Sequence, residues 1–521
     1  MNTEDSTLID HAAVAHANAL VTQTGILHTL DRWRAEDHIT KRGGLVSARA
    51  VLVGLLLLAR ERSPLSLTLL GELLHRRLTS ASRQLLDLPA RGGSESTDEA
   101  KGSLNRTQAA FHRLLALMDP YPKSTSARSY REISALINDR DVVIESKMKA
   151  RLDEYSESFI LMIVAQQPPR LRDANPSIDL AIDQFFIPSP MVTGFSRKKL
   201  DQHVAEEATS GRASVPFRPV DVSADWHGRY EVDASERAGF VSKRPRSRWG
   251  WMVNVAVRVN SDATRKLRAP ALVVAATLSM PTENVSAAAV QLMRSSLATG
   301  LTPGVVYADR AYFATQQIER LHLPTAELGF TPVTDYRTDR LGVHDFKNGA
   351  LFIEGSVYCP DLPRALQEAS IDYRAGRISG DTYRLRLQMR AHFELRPKGG
   401  PDKNGRYRMA HPTPDVFYNQ QHPSQHAGRA CIQKSVTFEQ TDGLSHRQAH
   451  AYMSSAWKES YAQAGSALEA FNAGFRSRRG ERSGSARRVA GFAAAQMLMT
   501  IELAAYNLRV LDRFVRQNPE D

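Results

Sequence analysis

Three carboxylates stand where a metal-dependent reaction would need them. Asp183 ends an apolar run that begins at Ser177, and Asp309 ends a second apolar run that begins at Val305. Glu469 lies inside a helical pattern that leads into an arginine cluster. Hard cations such as Mg²⁺ prefer oxygen ligands, and two of them about 4 Å apart can hold the attacking and leaving oxygens of a phosphodiester. These residues therefore predict metal-dependent phosphoryl transfer, the chemistry of cutting and joining DNA.

The segment around Asp183 has the alternation of a β-strand. Ile178, Leu180 and Ile182 share one face, whereas Asp179 and Asp183 share the other. An aspartate at the end of such a strand projects from the carboxyl edge of a sheet, where open α/β sheets bind their ligands. Asp179 is an alternative to Asp183 at this stage, because both carboxylates lie on the same face.

The middle of the chain alternates between strand and helix patterns, which predicts an α/β fold with a mixed, covered sheet. Residues 195–248 are polar and basic, and they predict a long connection. The predicted strands and helices that follow are strands 251–259, 271–278, 304–309 and 325–330, and helices 284–298 and 314–322.

Changes in pattern divide the chain into four parts. Residues 1–150 are predicted to form a helical amino-terminal domain, which could bind DNA ends, and residues 160–337 the first part of the catalytic core. Residues 338–443 stop alternating cleanly and predict an inserted subdomain. Residues 444–521 are helical again and carry Glu469.

The amino-terminal part contains two helical patterns across a short break. Ser47 is a candidate cap for a helix over 48–60, and a second helix is predicted over about 65–78. With Arg76, Arg77 and Arg83 nearby, this pair has two interpretations, a DNA-reading helix pair or packed helices with basic solvent faces. The apolar run within the first helix is about half the length that spans a bilayer, so a buried helix is expected.

Composition narrows the class of protein. The 521 residues carry a formal net charge of +12 and a pI near 9.7, which favours a polyanionic partner. Two cysteines and an amino terminus without a secretory signal favour a cytoplasmic protein. No membrane partner is expected, and no nucleotide cofactor, because the sequence lacks a phosphate-binding glycine loop. His446 and His450 do not form a zinc-peptidase motif and are predicted to be surface histidines.

Several longer motifs surround the three carboxylates. Gln-Phe-Phe-Ile-Pro follows Asp183, a Trp-Gly-Trp sequence ends at Trp251, and Asp309 lies in Tyr-Ala-Asp-Arg-Ala-Tyr. Glu469 follows Trp-Lys-Glu-Ser-Tyr461 and precedes Ala-Phe-Asn and Arg476. Over roughly residues 177–511, these motifs resemble the DDE transposases of bacterial insertion sequences.

The resemblance implies a ribonuclease H-like core with a β-rich insertion before the glutamate. It implies that Asp183, Asp309 and Glu469 are catalytic and bind two Mg²⁺ ions, with Mn²⁺ as a substitute. The implied substrates are terminal inverted repeats and target DNA. A homodimer on DNA is expected, because two ends must be joined.

Two alternatives to a transposase stay open. One is a related metal-dependent nuclease that does not join strands. The other is a domesticated or decayed DNA-binding protein without chemistry, an idea that Gly465 favours because the family pattern often has a basic residue there.

An arginine cluster follows the glutamate. Because the arginine guanidinium group suits phosphate contact, the cluster is predicted to bind the phosphates of the DNA backbone. The alternative is a solvated loop. By resemblance, Arg476 stands where the family has a basic residue two turns after the glutamate. The cluster consists of Arg476, Arg478, Arg479, Arg482, Arg487 and Arg488.

Overall fold

A mixed β-sheet with helices on both faces forms the centre of the protein. This architecture confirms the α/β class predicted from the sequence. The computed structural model describes residues 8–40, 44–90, 97–122, 125–173, 176–191, 193–216, 218–232, 243–260, 269–313, 318–412, 434–476 and 489–519, and near several of the gaps it describes the backbone alone.

The central sheet has the strand order β2-β3-β1-β5-β6, and β4 pairs with the edge of β3 opposite β1. β1 pairs antiparallel with β3 and parallel with β5, and β5 pairs parallel with β6. The 17-residue β3 pairs with β2 along its first half and lies between β1 and β4 along its second half. The strands are β1 Ser177–Pro188, β2 Asp225–Val232, β3 Lys243–Val259, β4 Val273–Ser279, β5 Thr302–Ala308 and β6 Thr331–Val333.

The chain before and between these strands is mainly helical. Its helices are α1 His11–Gln23, α2 Ile26–Glu36, α3 Ala48–Arg60, α4 Leu67–Glu72, α5 Ser80–Leu85, α6 Thr97–Leu115, α7 Tyr130–Asn138, α8 Val142–Ala165, α9 Pro169–Asp173, α10 Arg197–Ser210, α11 Val285–Leu297, α12 Arg310–Phe313 and α13 His322–Glu327. α4 continues as a π-helical turn over Leu73–Arg77.

Helix α3 is the predicted helix over 48–60. The Ser47 hydroxyl caps it by accepting a hydrogen bond from the Ala50 amide, and every residue from Ala50 to Ala59 is buried. These side chains belong to the same hydrophobic core as the central sheet. No helix in the described part of the chain combines the length and the apolar character needed to cross a bilayer.

Two long helices join the amino-terminal region to the sheet. α8 packs on β4 and on the last helix of the chain, α18 (Phe492–Gln517). The buried Asp153 carboxylate accepts hydrogen bonds from Thr277 on β4 (2.8 Å) and from Gln496 on α18 (3.1 Å). Gln496 is 1% exposed, so α18 is packed on this side as well.

Between β6 and the helix that carries Glu469 lies a region with its own hydrophobic cluster. Glu354 is its buried centre, where the carboxylate accepts hydrogen bonds from Arg390, Ser370 and the Gly342 amide. The elements are β7 Val343–Lys347, β8 Ala350–Ile353, β9 Ser356–Tyr358, α14 Arg364–Gln367, α15 Ala369–Arg374, α16 Gly380–Arg390, β10 Arg396–Pro397, β11 Tyr407–Ala410 and β12 Ser435–Phe438.

The prediction of a surface histidine is wrong for His446. It lies in a 3₁₀ turn, half-buried, and its ring stacks on His344 with the ring centroids 4.4 Å apart. Burial lowers the pKa of both histidines to about 4, so both rings are neutral near pH 7. The helical region predicted over 444–521 does not start as predicted, because its first α-helix, α17 (Ser455–Arg476), begins only at Ser455.

Two further predictions of secondary structure are wrong. The strand expected at 325–330 is largely helix α13, which Gly329 ends with a φ of +85°, and the strand follows at β6. The connection expected over 195–248 contains α10 and the hairpin of β2 and β3. Its high charge resembled a loop, but α10 needs only a narrow buried stripe, here Leu200 and Glu207.

Candidate functional site

The parallel register of β1 and β5 makes Asp183 and Asp309 neighbours. Ile182 on β1 pairs with Ala308 on β5, so the next residue on each strand is one of the two aspartates. Adjacent strands lie about 4.8 Å apart, so the two residues lie side by side. Asp309 directly follows β5, but β1 continues beyond Asp183 to Pro188, so the prediction that Asp183 ends its strand is wrong. Asp183 is partly buried and Asp309 is exposed. The structure therefore brings together two of the three predicted carboxylates.

Both aspartates lie on the sheet face that α17 covers. Ala181 and Tyr307 form one hydrophobic cluster with Trp457 and Ala464 of α17. Because side chains alternate along a strand, the residues two positions further on, Asp183 and Asp309, belong to the same face.

Aromatic packing fixes the second half of α17 beside Asp183. Phe471 and Phe475 both pack on Phe185 of β1, with ring centroids 6.2 and 5.8 Å away. On the same helix, the Asn472 side-chain amide donates a hydrogen bond of 3.1 Å to Oδ2 of Asp183. The Oδ1 atom of Asn472 is buried and has no hydrogen-bond partner among the described residues. Asn472 is the asparagine of the Ala-Phe-Asn motif that follows Glu469, but no role is predicted for it from the sequence.

The beginning of α17 is held at the other side of the site, by Gln448. Its side-chain oxygen accepts hydrogen bonds from the Thr334 amide, just after β6, and from the Trp457 indole. The Trp457 ring stacks on Tyr461, with centroids 4.6 Å apart. These contacts set the position of the helix relative to the parallel strands.

Asp179, the alternative to Asp183, is engaged within the sheet. Its Oδ1 accepts a hydrogen bond of 2.7 Å from the Val305 amide of β5, where the register between β1 and β5 shifts. A Cβ atom added at Gly304 would meet this oxygen at 2.1 Å, so the glycine makes room for the carboxylate. This environment gives Asp179 a structural role.

Tyr312 belongs to α12, the short helix that directly follows Asp309, and lies near both aspartates. It is 1% exposed, and its hydroxyl has no hydrogen-bond partner among the described residues. Burial raises the pKa of Tyr312 well above its usual value, and the charges of Asp183 and Asp309 raise it further. The phenol therefore stays protonated, and both carboxylates lie close enough to act on it electrostatically.

Glu469, the third predicted carboxylate, lies on α17 one turn before Asn472 and is exposed. Residues three apart on a helix share a face, so Glu469 is on the side that meets Asp183. Among the described residues, no three His, Cys, Asp or Glu side chains form a group that could hold a metal ion. The structure thus does not gather Glu469 with the two aspartates into one such group.

The donor set at the strand ends fits Mg²⁺ chemically. This ion is usually bound by one or two carboxylates, and it keeps several waters or takes phosphate oxygens of the substrate. Asp183 and Asp309 supply two adjacent carboxylates. The hydroxyl of Tyr312 and Oδ1 of Asn472 are buried polar atoms nearby that have no hydrogen-bond partner among the described residues. Asp183 and Asp309 would hold the ion, and Glu469 on the facing helix could add a third oxygen ligand.

The predicted arginine cluster cannot be located. α17 ends at Arg476, of which only the backbone is described. The other members, Arg478, Arg479, Arg482, Arg487 and Arg488, lie outside the described residues.

In the amino-terminal region, the contacts favour packing over a DNA-reading helix pair. α3 is buried along nearly its whole length, and Arg77 pairs with Glu61 at 2.7 Å. The buried Arg83 guanidinium donates to the backbone oxygens of Leu74 and Pro89. That this region binds DNA ends stays a prediction.

Comparison of the chain with protein-family models, with curated proteins and with solved structures finds no match in any of the three.

Proposed function

We propose that the chain is a DNA transposase of the DDE type, which cleaves DNA and transfers strands at the terminal inverted repeats of an insertion sequence. The main support is the β1–β5 register, which makes Asp183 and Asp309 adjacent on the sheet face that α17 covers. The sequence motifs around Asp183, Asp309 and Glu469 provide the second support.

We propose a ribonuclease H-like fold for the core. The path β4-β3-β1-β5-β6 supports it, because β3 is antiparallel to both of its neighbours, β4 and β1, and the strands β1, β5 and β6 are parallel. A long inserted region then separates β6 from the helix that carries Glu469, as the resemblance to transposases implies.

In the proposed reaction, Asp183, Asp309 and Glu469 would hold two Mg²⁺ ions. When bound, the ions would supply charge neutralisation at the phosphodiester and activation of water or a 3′-hydroxyl. The protein's own contribution is positioning: the β1–β5 pairing sets the spacing of the two aspartates, and Asn472 holds the Asp183 carboxylate in one orientation.

The proposed partner is DNA, as terminal repeats and as target, bound by a homodimer in the bacterial cytoplasm. The net charge of +12 supports a polyanionic partner. The arginine cluster from Arg476 to Arg488 is proposed to contact the DNA backbone.

The test is cleavage of labelled DNA that carries the ends flanking the gene, with Mg²⁺ or with EDTA. The wild type is expected to nick at the element boundary only with Mg²⁺, and Asp309→Asn to lose this activity. Asp179→Asn is the matched control, because it neutralises the strand aspartate that bonds the β5 backbone. Activity in Asp309→Asn equal to that of the control would contradict the proposed centre.

The same assay separates the two alternatives. Nicking without any joining of the freed 3′-end to a target would identify a metal-dependent nuclease. Tight binding of the ends without nicking by the wild type would identify a DNA-binding protein without chemistry.

A further inference from the structure

The Tyr312 hydroxyl is a buried polar group near the two aspartates. It is 1% exposed, and no described residue accepts or donates a hydrogen bond to it, although Asp183 and Asp309 are both near enough to act on it electrostatically. A buried hydroxyl left without a partner is destabilising, because it has lost its hydrogen bonds to water. Near two carboxylates that it does not touch, such a hydroxyl indicates a further group between them.

Asn472 provides a second, independent observation at the same place. Because a carboxylate only accepts hydrogen bonds, the amide must present its NH₂ group to Asp183, and its carbonyl oxygen points elsewhere. That oxygen is buried and also has no partner among the described residues. Within the described part of the chain, α12 and α17 therefore each leave one polar atom near the aspartates without a hydrogen-bond partner.

We propose that the Tyr312 hydroxyl hydrogen-bonds an oxygen, from water or from phosphate, carried by the divalent cation that Asp183 and Asp309 hold. The inference rests on the proposed function, because it needs a cation at the two aspartates. Asn472 is a positioning residue in this arrangement, since it acts by orienting Asp183. Tyr312 differs from it in touching the ligand of the cation.

Tyr312→Phe removes this hydroxyl and keeps the ring that fills the site. Tyr155→Phe is the matched control, because Tyr155 on α8 is also fully buried, its hydroxyl also has no partner among the described residues, and burial alone raises its pKa. In EDTA, both variants should melt at the wild-type temperature or above it, since each loses an unpaired buried hydroxyl.

The measurement is binding of Mn²⁺ to the full chain, followed by the electron paramagnetic resonance signal of the free ion. Loss of a hydrogen-bonding group next to a metal site typically weakens affinity about 10–100-fold, and this is the expected result for Tyr312→Phe. Tyr155→Phe should bind Mn²⁺ as the wild type does. A purely structural role for Tyr312 would leave Mn²⁺ affinity unchanged.

Asp309→Asn separates failure of this inference from failure of the proposed function. If Asp309→Asn loses Mn²⁺ binding and Tyr312→Phe binds it like the wild type, the role of Tyr312 is wrong and the metal centre stands. If Asp309→Asn binds Mn²⁺ like the wild type, or the wild type binds none, the proposed centre fails and the inference fails with it.

Discussion

The two aspartates on one face of β1 should respond to substitution in opposite ways. Asp179 accepts a 2.7 Å hydrogen bond from the Val305 amide inside the sheet. Asp179→Ala leaves this amide without a partner, which should lower the free energy of unfolding by about 1–3 kcal/mol. Asp179→Asn keeps an acceptor oxygen at the same place, so its cost should be about 1 kcal/mol or less.

Substitution of Asp183 should affect stability much less. Its partly buried carboxylate lies beside Asp309. It accepts one hydrogen bond from the Asn472 side chain and one from the Gln184 amide. Asp183→Asn keeps one acceptor and removes a repulsion between neighbouring charges, so the free energy of unfolding should change by less than about 1 kcal/mol. DNA nicking should fall more than about 100-fold, beyond the loss typical of groups next to a metal ligand.

The assay is urea denaturation of the four proteins, with nicking measured on the folded fraction of each. Asp179→Ala should unfold at lower urea and nick at nearly the wild-type rate, and Asp183→Asn should show the reverse. The distinction between the two residues is refuted if Asp179→Ala unfolds like the wild type, or if Asp179→Asn loses nicking as completely as Asp183→Asn.

Three further substitutions test the packing around the site. Glu354→Gln should lower the free energy of unfolding by about 3–5 kcal/mol in urea denaturation, because Arg390, which is 2% exposed, loses its buried counter-charge. Its control is Asp381→Asn, which removes one partner of an exposed ion pair and should lower the free energy of unfolding by less than about 1 kcal/mol. The folded-state pKa of His446 is about 4, below the ordinary 6.5, so the protein loses stability as the pH falls from 6.5 to 4. His446→Phe should reduce this loss by about 1–3 kcal/mol, measured from urea-denaturation midpoints across that pH range. Phe471→Ala should cost about 3–5 kcal/mol and weaken nicking, because the ring is 1% exposed and packs on β1; thermal melts that match the wild type would exclude this role.

Local patterns in the sequence were enough to identify several strands and helices. Alternation identified β1 and the face that carries Asp179 and Asp183, although the strand runs on to Pro188, and the capping residue Ser47 marked a helix that begins at the next residue. These features depend on neighbours within one element, so the residues concerned are close in the chain.

Features that depend on pairing between distant segments could not be predicted. Asp179 and Asp183 share a face of β1. Only the pairing with β5, more than 120 residues away, shows that Asp179 accepts a hydrogen bond from the Val305 amide whereas Asp183 lies beside Asp309. The positions of Tyr312 and Asn472 next to the aspartates could not be predicted either, because they depend on how α12 and α17 pack against the rest of the fold. The order of residues within one segment does not specify which distant segment it will contact.

The most direct test of a single metal centre concerns Glu469, because its side chain is exposed and not gathered with the two aspartates. Glu459, also exposed on α17 and ten residues earlier, is its matched control. The measurement is the rate of Mg²⁺-dependent nicking of the element ends by Glu469→Gln and Glu459→Gln. The account predicts a loss of more than about 100-fold for Glu469→Gln and a rate within about twofold of the wild type for Glu459→Gln. Equal rates in the two variants would contradict it.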